Sequence, residues 1–220
     1  MIASSVANAG GRLRRLTAAF RQKPDRVSHV RAALTGRWDS PVFRRAVQST
    51  KNVATDHSMM ARCIELSRNG VAEGEYPFGS LIARSETIIA EATNRVMRET
   101  DESRHAEIIA IAHARRTLRK KSLRECTLYT TVEPCAMCSF CIRAAGIGRV
   151  VYALRSPVLG GISRWDILRD KTLRRRLPLL FKAPPEIVTG VRAQEAQQVW
   201  ADWNPLFWWA IKQLGFFVLP

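Results

Sequence analysis

Between His57 and Arg68 the apolar residues are Met59, Met60, Cys63, Ile64 and Leu66, the spacing of one helix face. Asp56 stands where it can cap that helix, and Asn69-Gly70 where it can end it. Phe78–Ala83 and Thr87–Ala92 read as two strands around Arg84-Ser85-Glu86, which predicts a hairpin. From Ser103 to Leu118 apolar residues recur at Ile108, Ile109, Ile111, Ala112 and Leu118, a second helix. Cys126–Val132 is rich in Thr, Leu, Tyr and Val and predicts a strand. Pro134 suits the first turn of the helix that follows, since its missing N–H is not needed there. That helix runs to Ala145 and stops at Gly146, and Arg149–Leu154 is the next strand.

Strands alternating with helices predict parallel pairing within a mixed sheet. Beyond Leu154 the pattern weakens. Ser163–Arg169 reads as a short helix, Glu186–Thr189 as a last strand, and Ala193–Trp203 as a final helix continuing past Pro205.

The chain has 220 residues, 46% of them hydrophobic, which suits one domain with appendages. No run of eighteen apolar residues occurs, so no membrane-spanning helix is expected. Residues 1–51 are set aside as a basic N-terminal segment, and residues 52–220 are expected to form the domain. Composition alone gives that segment the look of an organellar transit peptide. The competing readings, a disordered basic tail or a gene start set too early, are preferred.

Net charge is +16, and the first fifty residues carry ten Lys/Arg against two Asp. Half of the excess therefore lies outside the expected domain, which weakens the case for nucleic acid that the total invites. Within it, Arg115, Arg116, Arg119, Lys120, Lys121 and Arg124 form one cluster, and Lys171 and Arg174–Arg176 another. Solvated helix faces account for both.

Three of the five cysteines fall within seven residues, a spacing that suits a metal better than disulfides. A reducing compartment, the cytoplasm, follows as the expected setting. Cys135 and Cys138 lie three apart in the first turns of a predicted helix, so both thiols face one side and the helix dipole favours thiolates. His105 opens the other predicted helix. If the two helix starts converge, these three residues are zinc ligands and leave a fourth position open, as catalytic zinc requires.

Glu107 is two residues from His105, and at a helix start both can lean around the end. Zinc lowers the pKa of water towards ~7, and Glu107 is the expected acceptor of that proton. Taken alone, Cys-x-x-Cys also fits a redox pair or half of a structural zinc site. A redox pair leaves His105 and Glu107 without a role. Cys141 is the candidate fourth ligand of a structural site, but on a helix it lies roughly 240° around from Cys135 and reads as a core thiol. An iron–sulfur reading lacks its fourth cysteine. Cys63 and Cys126 read as inert core residues, and His57 and His113 as non-ligands.

The pairing of His105-Ala106-Glu107 with Pro134-Cys135-x-x-Cys138 matches the zinc deaminase signature. The chain resembles the cytidine/deoxycytidylate deaminase superfamily, in the branch of guanine, cytosine and tRNA adenosine deaminases. The resemblance runs from about Asp56 to Leu154 and includes Tyr76-Pro77-Phe78-Gly79, Asn94, Thr127–Cys135 and Gly146–Tyr152.

It implies an α/β fold of three layers, α/β/α, with a mixed five-stranded sheet. It implies one zinc per chain held by His105, Cys135 and Cys138, with Glu107 carrying protons from water to the base and the leaving ammonia. It implies base contacts from Asn94, the Ala106 N–H and Phe78, and a homodimer. The substrate expected is a free nucleobase or nucleoside, guanine first. The alternative is adenosine in tRNA, with RNA as partner.

Departures begin at Arg155-Ser156-Pro157-Val158-Leu159-Gly160-Gly161, where the tRNA-editing members carry a run with Asp and Gly. Guanine deaminases place an acid after this strand, and Asp166 does not align with it securely. Trp200, Trp203, Phe207, Trp208 and Trp209 read as core and dimer packing, with one aromatic closing over the substrate as the sharper reading.

Overall fold

The computed structural model describes residues 41–219. Of the N-terminal segment set aside above, residues 1–40 lie outside the described residues, and residues 41–51 are helical. The elements are α1 (Pro41–Ala72), β1 (Gly79–Arg84), β2 (Thr87–Thr93), α2 (Val96–Glu99), α3 (Ala106–Leu118), β3 (Thr127–Val132), α4 (Ala136–Ala145), β4 (Arg149–Leu154), α5 (Lys171–Arg176), β5 (Glu186–Thr189), α6 (Ala193–Trp203) and α7 (Pro205–Gln213). Asn52–Pro220 forms one compact unit.

The five strands make one sheet in the order β2-β1-β3-β4-β5. β1 runs antiparallel to β2 and to β3, whereas β3, β4 and β5 are parallel. The sheet is therefore mixed, and β2, β3 and β4 all end at the same edge. Alternation along each strand gives the two faces separate cores. Leu81, Tyr129 and Val151 point to one side with Met60, Ile64, Val199 and Trp200 of α1 and α6. Ile82, Leu128 and Val150 point to the other with Ile109, Ala110 and Ile142 of α3 and α4. Helices thus cover both faces, the three-layer α/β/α arrangement expected.

Three elements differ from expectation. The last helix does not continue past Pro205: α6 ends at Trp203, and Asn204, with extended backbone, caps the separate α7. α1 does not start after Asp56 or stop at Asn69-Gly70; it runs from Pro41 to Ala72. Asp56 is in mid-helix, 4% exposed. Its carboxylate accepts from Arg149 Nη1 and Nη2, both at 2.7 Å, and from the Tyr129 hydroxyl at 2.8 Å. It pins α1 to β3 and β4 instead of capping a helix.

Ser163–Arg169 forms turns and no helix. The N–H groups of Ile162 and Ser163 are taken by Glu133, and Asp166 has φ +52°, which breaks a helical run. The helix forms later, at α5, where the Asp170 carboxylate accepts from Thr172 N at 2.6 Å. Gly146 ends α4 as expected, with φ +71° in the left-handed cap position.

Asp56→Asn takes from Arg149 its buried charged partner and leaves only the exposed Glu186, 3.4 Å from Nε. The expected cost is about 3 kcal/mol, read as a lower urea midpoint with an unchanged slope. An unchanged midpoint would mean that water replaces the ion pair.

Candidate active site

Each piece of the site lies where a strand ends or a helix begins. Asn94 follows β2, Glu133-Pro134-Cys135 follows β3, and Arg155-Ser156 follows β4. His105 and Cys135 are the N-cap residues of α3 and α4, both with extended backbone. Neither makes a side-chain capping hydrogen bond. The helices start two or three residues later than the sequence pattern implied, so the first two ligand candidates precede the helices and Cys138 lies within α4.

The ligand atoms of His105, Cys135 and Cys138 lie within 4.8 Å of one another. His105 Nδ1 is 3.6 Å from Cys135 Sγ and 3.4 Å from Cys138 Sγ. A tetrahedral zinc sets its sulfur and nitrogen ligands roughly 3.6 Å apart, so the donor set fits zinc in both chemistry and spacing. The Cys135 thiol is pulled down to about 4, chiefly by the hydrogen bond from Cys138 and then by that from His105. Cys138 is pushed up by the bond it donates and by burial. The His105 ring is pushed up by its bond with Cys135. Cys141 is not in the group; it is partly buried and packs against the core beside α3 and α4. Cys63 and Cys126 are buried, and burial pushes both thiols up.

Glu107, in the first turn of α3, is 6% exposed, and burial pushes its carboxyl above the usual range. It lines a cavity of about 70 Å³ together with His105, Cys135, Phe78, Asn94, Val132, Glu133, Ser156, Leu159 and Phe217. Ala106 is N1 of α3, fully buried, and its N–H has no acceptor within the helix. Asp166 is exposed and does not line the cavity.

Three contributors were not assigned a role from sequence. Glu75, 1% exposed, accepts from Asn94 Nδ2 at 3.0 Å and from the N–H groups of Met97 and Arg98 at 3.2 and 2.7 Å. It caps α2 and fixes the Asn94 amide with its nitrogen towards the acid. Its Oδ1 makes no hydrogen bond among the described residues.

Glu133 holds the loop after β4, accepting from Ser156 N, Ile162 N, Ser163 N and Ser163 Oγ. Phe217 reaches the cavity from the C-terminal segment, where Arg155 and Val218 exchange two backbone hydrogen bonds of 3.0 Å. Its ring lies 4.9 Å from Trp200 and 6.3 Å from Phe78. The aromatics singled out from sequence behave otherwise: Trp200 and Trp208 are core, whereas Trp209 is exposed. A local signal for Phe217 did not exist, because its position depends on pairing with Arg155, far away in the chain.

The family model for the cytidine and deoxycytidylate deaminase zinc-binding region matches residues 53–154. The tRNA-specific adenosine deaminase of Aquifex aeolicus is 37% identical over 112 residues, covering 50% of this chain and 74% of that one. A solved tRNA deaminase that carries out A-to-I editing at the wobble position superposes with a TM-score of 0.58 at 26% identity, over 64% of this chain and 98% of that one. Guanine deaminase from Nitrosomonas europaea superposes with a TM-score of 0.54 at 26% identity, over 68% of this chain and 84% of that one. With a zinc-shaped triad at the strand ends and relatives matched along most of their own length, the chain belongs to the cytidine and deoxycytidylate deaminase family and is a zinc-dependent hydrolytic deaminase.

Proposed function

We propose that this deaminase acts on a free purine base, guanine first, with His105, Cys135 and Cys138 as the zinc ligands and Glu107 as the proton carrier. The observation that carries the choice of a free base is the closure of the cavity. Leu159 and Phe217 wall it, and the segment bearing Phe217 is tied to Arg155 by two backbone hydrogen bonds. Walls of this kind favour a flat ring over a substrate that must also carry a sugar and its phosphates past them.

Zinc supplies the Lewis acidity that makes water a nucleophile near neutral pH. The protein does the rest. Glu107 takes a proton from the attacking water and delivers it to a ring nitrogen. As the new C–O bond forms, the second water proton goes to the exocyclic amine, the C–N bond breaks, and ammonia leaves a ring carbonyl behind. Burial suits Glu107 to this shuttle, since it brings the carboxyl closer to neutrality than an exposed one. The Asn94 Oδ1, left free because Glu75 holds the amide nitrogen, is suited to accept from a ring N–H. Phe78 walls the ring, and the Ala106 N–H is available to a ring acceptor.

Adenosine in tRNA is the second reading. The Aquifex aeolicus relative and the net charge of +16 favour it, as do the exposed Arg174, Arg175 and Arg176 of α5. The proposal includes a homodimer; Met137 and Phe140 on α4 leave apolar surface exposed for a second copy. It also includes a reducing, cytoplasmic setting, which five free cysteines suit. No described helix is long and apolar enough to cross a membrane.

Glu107→Ala and Glu107→Gln should keep about one zinc per chain by metal analysis and lose roughly 10³-fold or more in turnover. Substantial residual rate would mean that another group carries the proton. Ammonia release should be fastest on guanine in a panel of guanine, adenine, cytosine, their nucleosides and a tRNA anticodon stem-loop, with Glu107→Ala as blank. Release from the stem-loop alone would reverse the two readings.

A further inference from the structure

A cavity of about 390 Å³ opens at the other edge of the sheet. Its walls are the turn before β3, the turn between α4 and β4, and the chain from α5 to the start of β5. The candidate catalytic residues stand beyond the far ends of β3 and β4, six residues or roughly 20 Å away. Arg124, Arg174 and Lys182 line this second cavity, and no acid does. Arg124 and Arg174 belong to the two basic clusters of the sequence, so the fold brings those clusters to one place. All three cations are exposed, and their side chains make no hydrogen bond or ion pair among the described residues. The neighbouring acids in the chain are engaged elsewhere: Glu125 with Lys120 at 3.4 Å, Glu186 with Arg149 at 3.4 Å, and Asp170 with the Thr172 N–H at 2.6 Å.

The walls are tied to one another through the backbone. Leu123 N–H donates to the Ala145 carbonyl at 3.0 Å, Gly148 N–H to the Cys126 carbonyl at 3.2 Å, and Glu186 N–H to the Gly148 carbonyl at 3.0 Å. Lys182 is held twice: its N–H donates to the Arg143 carbonyl, and its carbonyl accepts from Arg143 Nη2, both at 3.0 Å. The other partners of the buried Arg143 guanidinium are the Ile167 and Asp170 carbonyls, at 2.6 and 2.8 Å. It hydrogen-bonds to carbonyls alone, so a further positive charge stands behind the wall. Gly146 makes room for the Lys182 stem, since a Cβ there would lie 2.8 Å from Lys182 Cγ. Like charges gathered on fixed walls repel one another unless an anion lies between them.

We propose that this cavity is a second ligand site, separate from the catalytic one, which takes the phosphate group of a small organic phosphate such as a sugar phosphate. A phosphate offers three terminal oxygens and close to two charges, which suits two guanidinium groups and an ammonium arriving from three segments. A carboxylate has two oxygens and one charge. The Ser122 hydroxyl, also in the lining, adds a neutral donor. A phosphate alone leaves much of the volume empty, and Ile147, Pro178 and Pro184 give apolar wall for the carbon skeleton attached to it. An RNA backbone brings the same chemistry, but as single charges spread along a strand, and it would draw equally on Arg175 and Arg176 outside the cavity.

The test is calorimetric titration of the full, zinc-loaded chain with ribose 5-phosphate and, as the uncharged control, ribose. Neither carries a base to deaminate, so the signal is kept apart from turnover. At about 0.15 M salt, where the Debye length is about 8 Å and diffuse attraction is damped, ribose 5-phosphate should bind and ribose should not. Arg124→Gln with Arg174→Gln should weaken binding about 100-fold and Lys182→Gln about 10-fold, the scale of lost charge-assisted hydrogen bonds. Arg175→Gln with Arg176→Gln removes as much charge outside the cavity and should change it by less than about 3-fold. Melting temperatures should hold throughout, which separates lost binding from lost fold. No binding at millimolar ribose 5-phosphate would overturn the proposal. So would equal losses in the two double variants, since they would mean a diffuse basic surface. A tRNA anticodon stem-loop tells the two phosphate sources apart. A stem-loop displaced by ribose 5-phosphate and released by the cavity variants supports the site, with RNA as a source of its phosphate. Stem-loop binding without ribose 5-phosphate binding overturns it.

Discussion

The Glu133 carboxylate accepts four hydrogen bonds, three from backbone N–H groups and one from the Ser163 hydroxyl, in a residue only 3% exposed. A carboxyl group so deep is tolerable only because its oxygens are hydrogen-bonded. Its own N–H donates to the Leu154 carbonyl at 2.8 Å, and Gly161 N–H donates to the Pro134 carbonyl at 2.8 Å. The end of β3, the end of β4 and the loop beyond are thereby one rigid piece. Cys135 and Cys138 hang from one side of it, and Ser156 and Leu159 from the other. The metal site and the cavity wall are held by the same acid, although that acid touches no proposed ligand atom.

A second constraint acts at the helix starts. N-cap positions usually go to Ser, Thr, Asp or Asn, which satisfy an N–H of the first turn. Here they are given to His105 and Cys135, whose side chains make no capping bond and point towards each other. Each helix forgoes roughly 1 kcal/mol of capping. In exchange, two positive helix ends face a cluster that carries thiolate when it holds zinc, and the dipoles favour that charge. The ordinary capping chemistry reappears where no metal is concerned, at Asp170 for α5 and at Asn204 for α7.

These two constraints explain what the sequence made legible. The candidate ligands and Glu107 stood out because zinc chemistry asks for such residue types at short spacings next to a helix start, all of it local. The strands were readable because alternation is local too. Asp56 was misread for the same reason: an acid before an apolar helix face looks like a cap, whereas its true partners, Tyr129 and Arg149, lie 73 and 93 residues away. The turn segment at Ser163–Arg169 had helical composition but lost its backbone donors to Glu133, thirty residues earlier. Phe217 could not be chosen from seven C-terminal aromatics until its strap had paired with Arg155.

Two buried glutamates set what the cavity can offer a base. Glu75 binds the Asn94 amide nitrogen and so orients its carbonyl oxygen as the free acceptor. Glu133 binds the Ser156 N–H and so fixes the backbone at the end of β4. A carboxylate that only accepts discriminates between the two ends of the Asn94 amide in a way that a hydroxyl or a second amide would not. The pocket therefore presents an acceptor on the β2 side. On the proposed reading, a purine with a protonated ring nitrogen satisfies it. On that reading, selectivity rests on the acids behind the wall as much as on the residues proposed to touch the base.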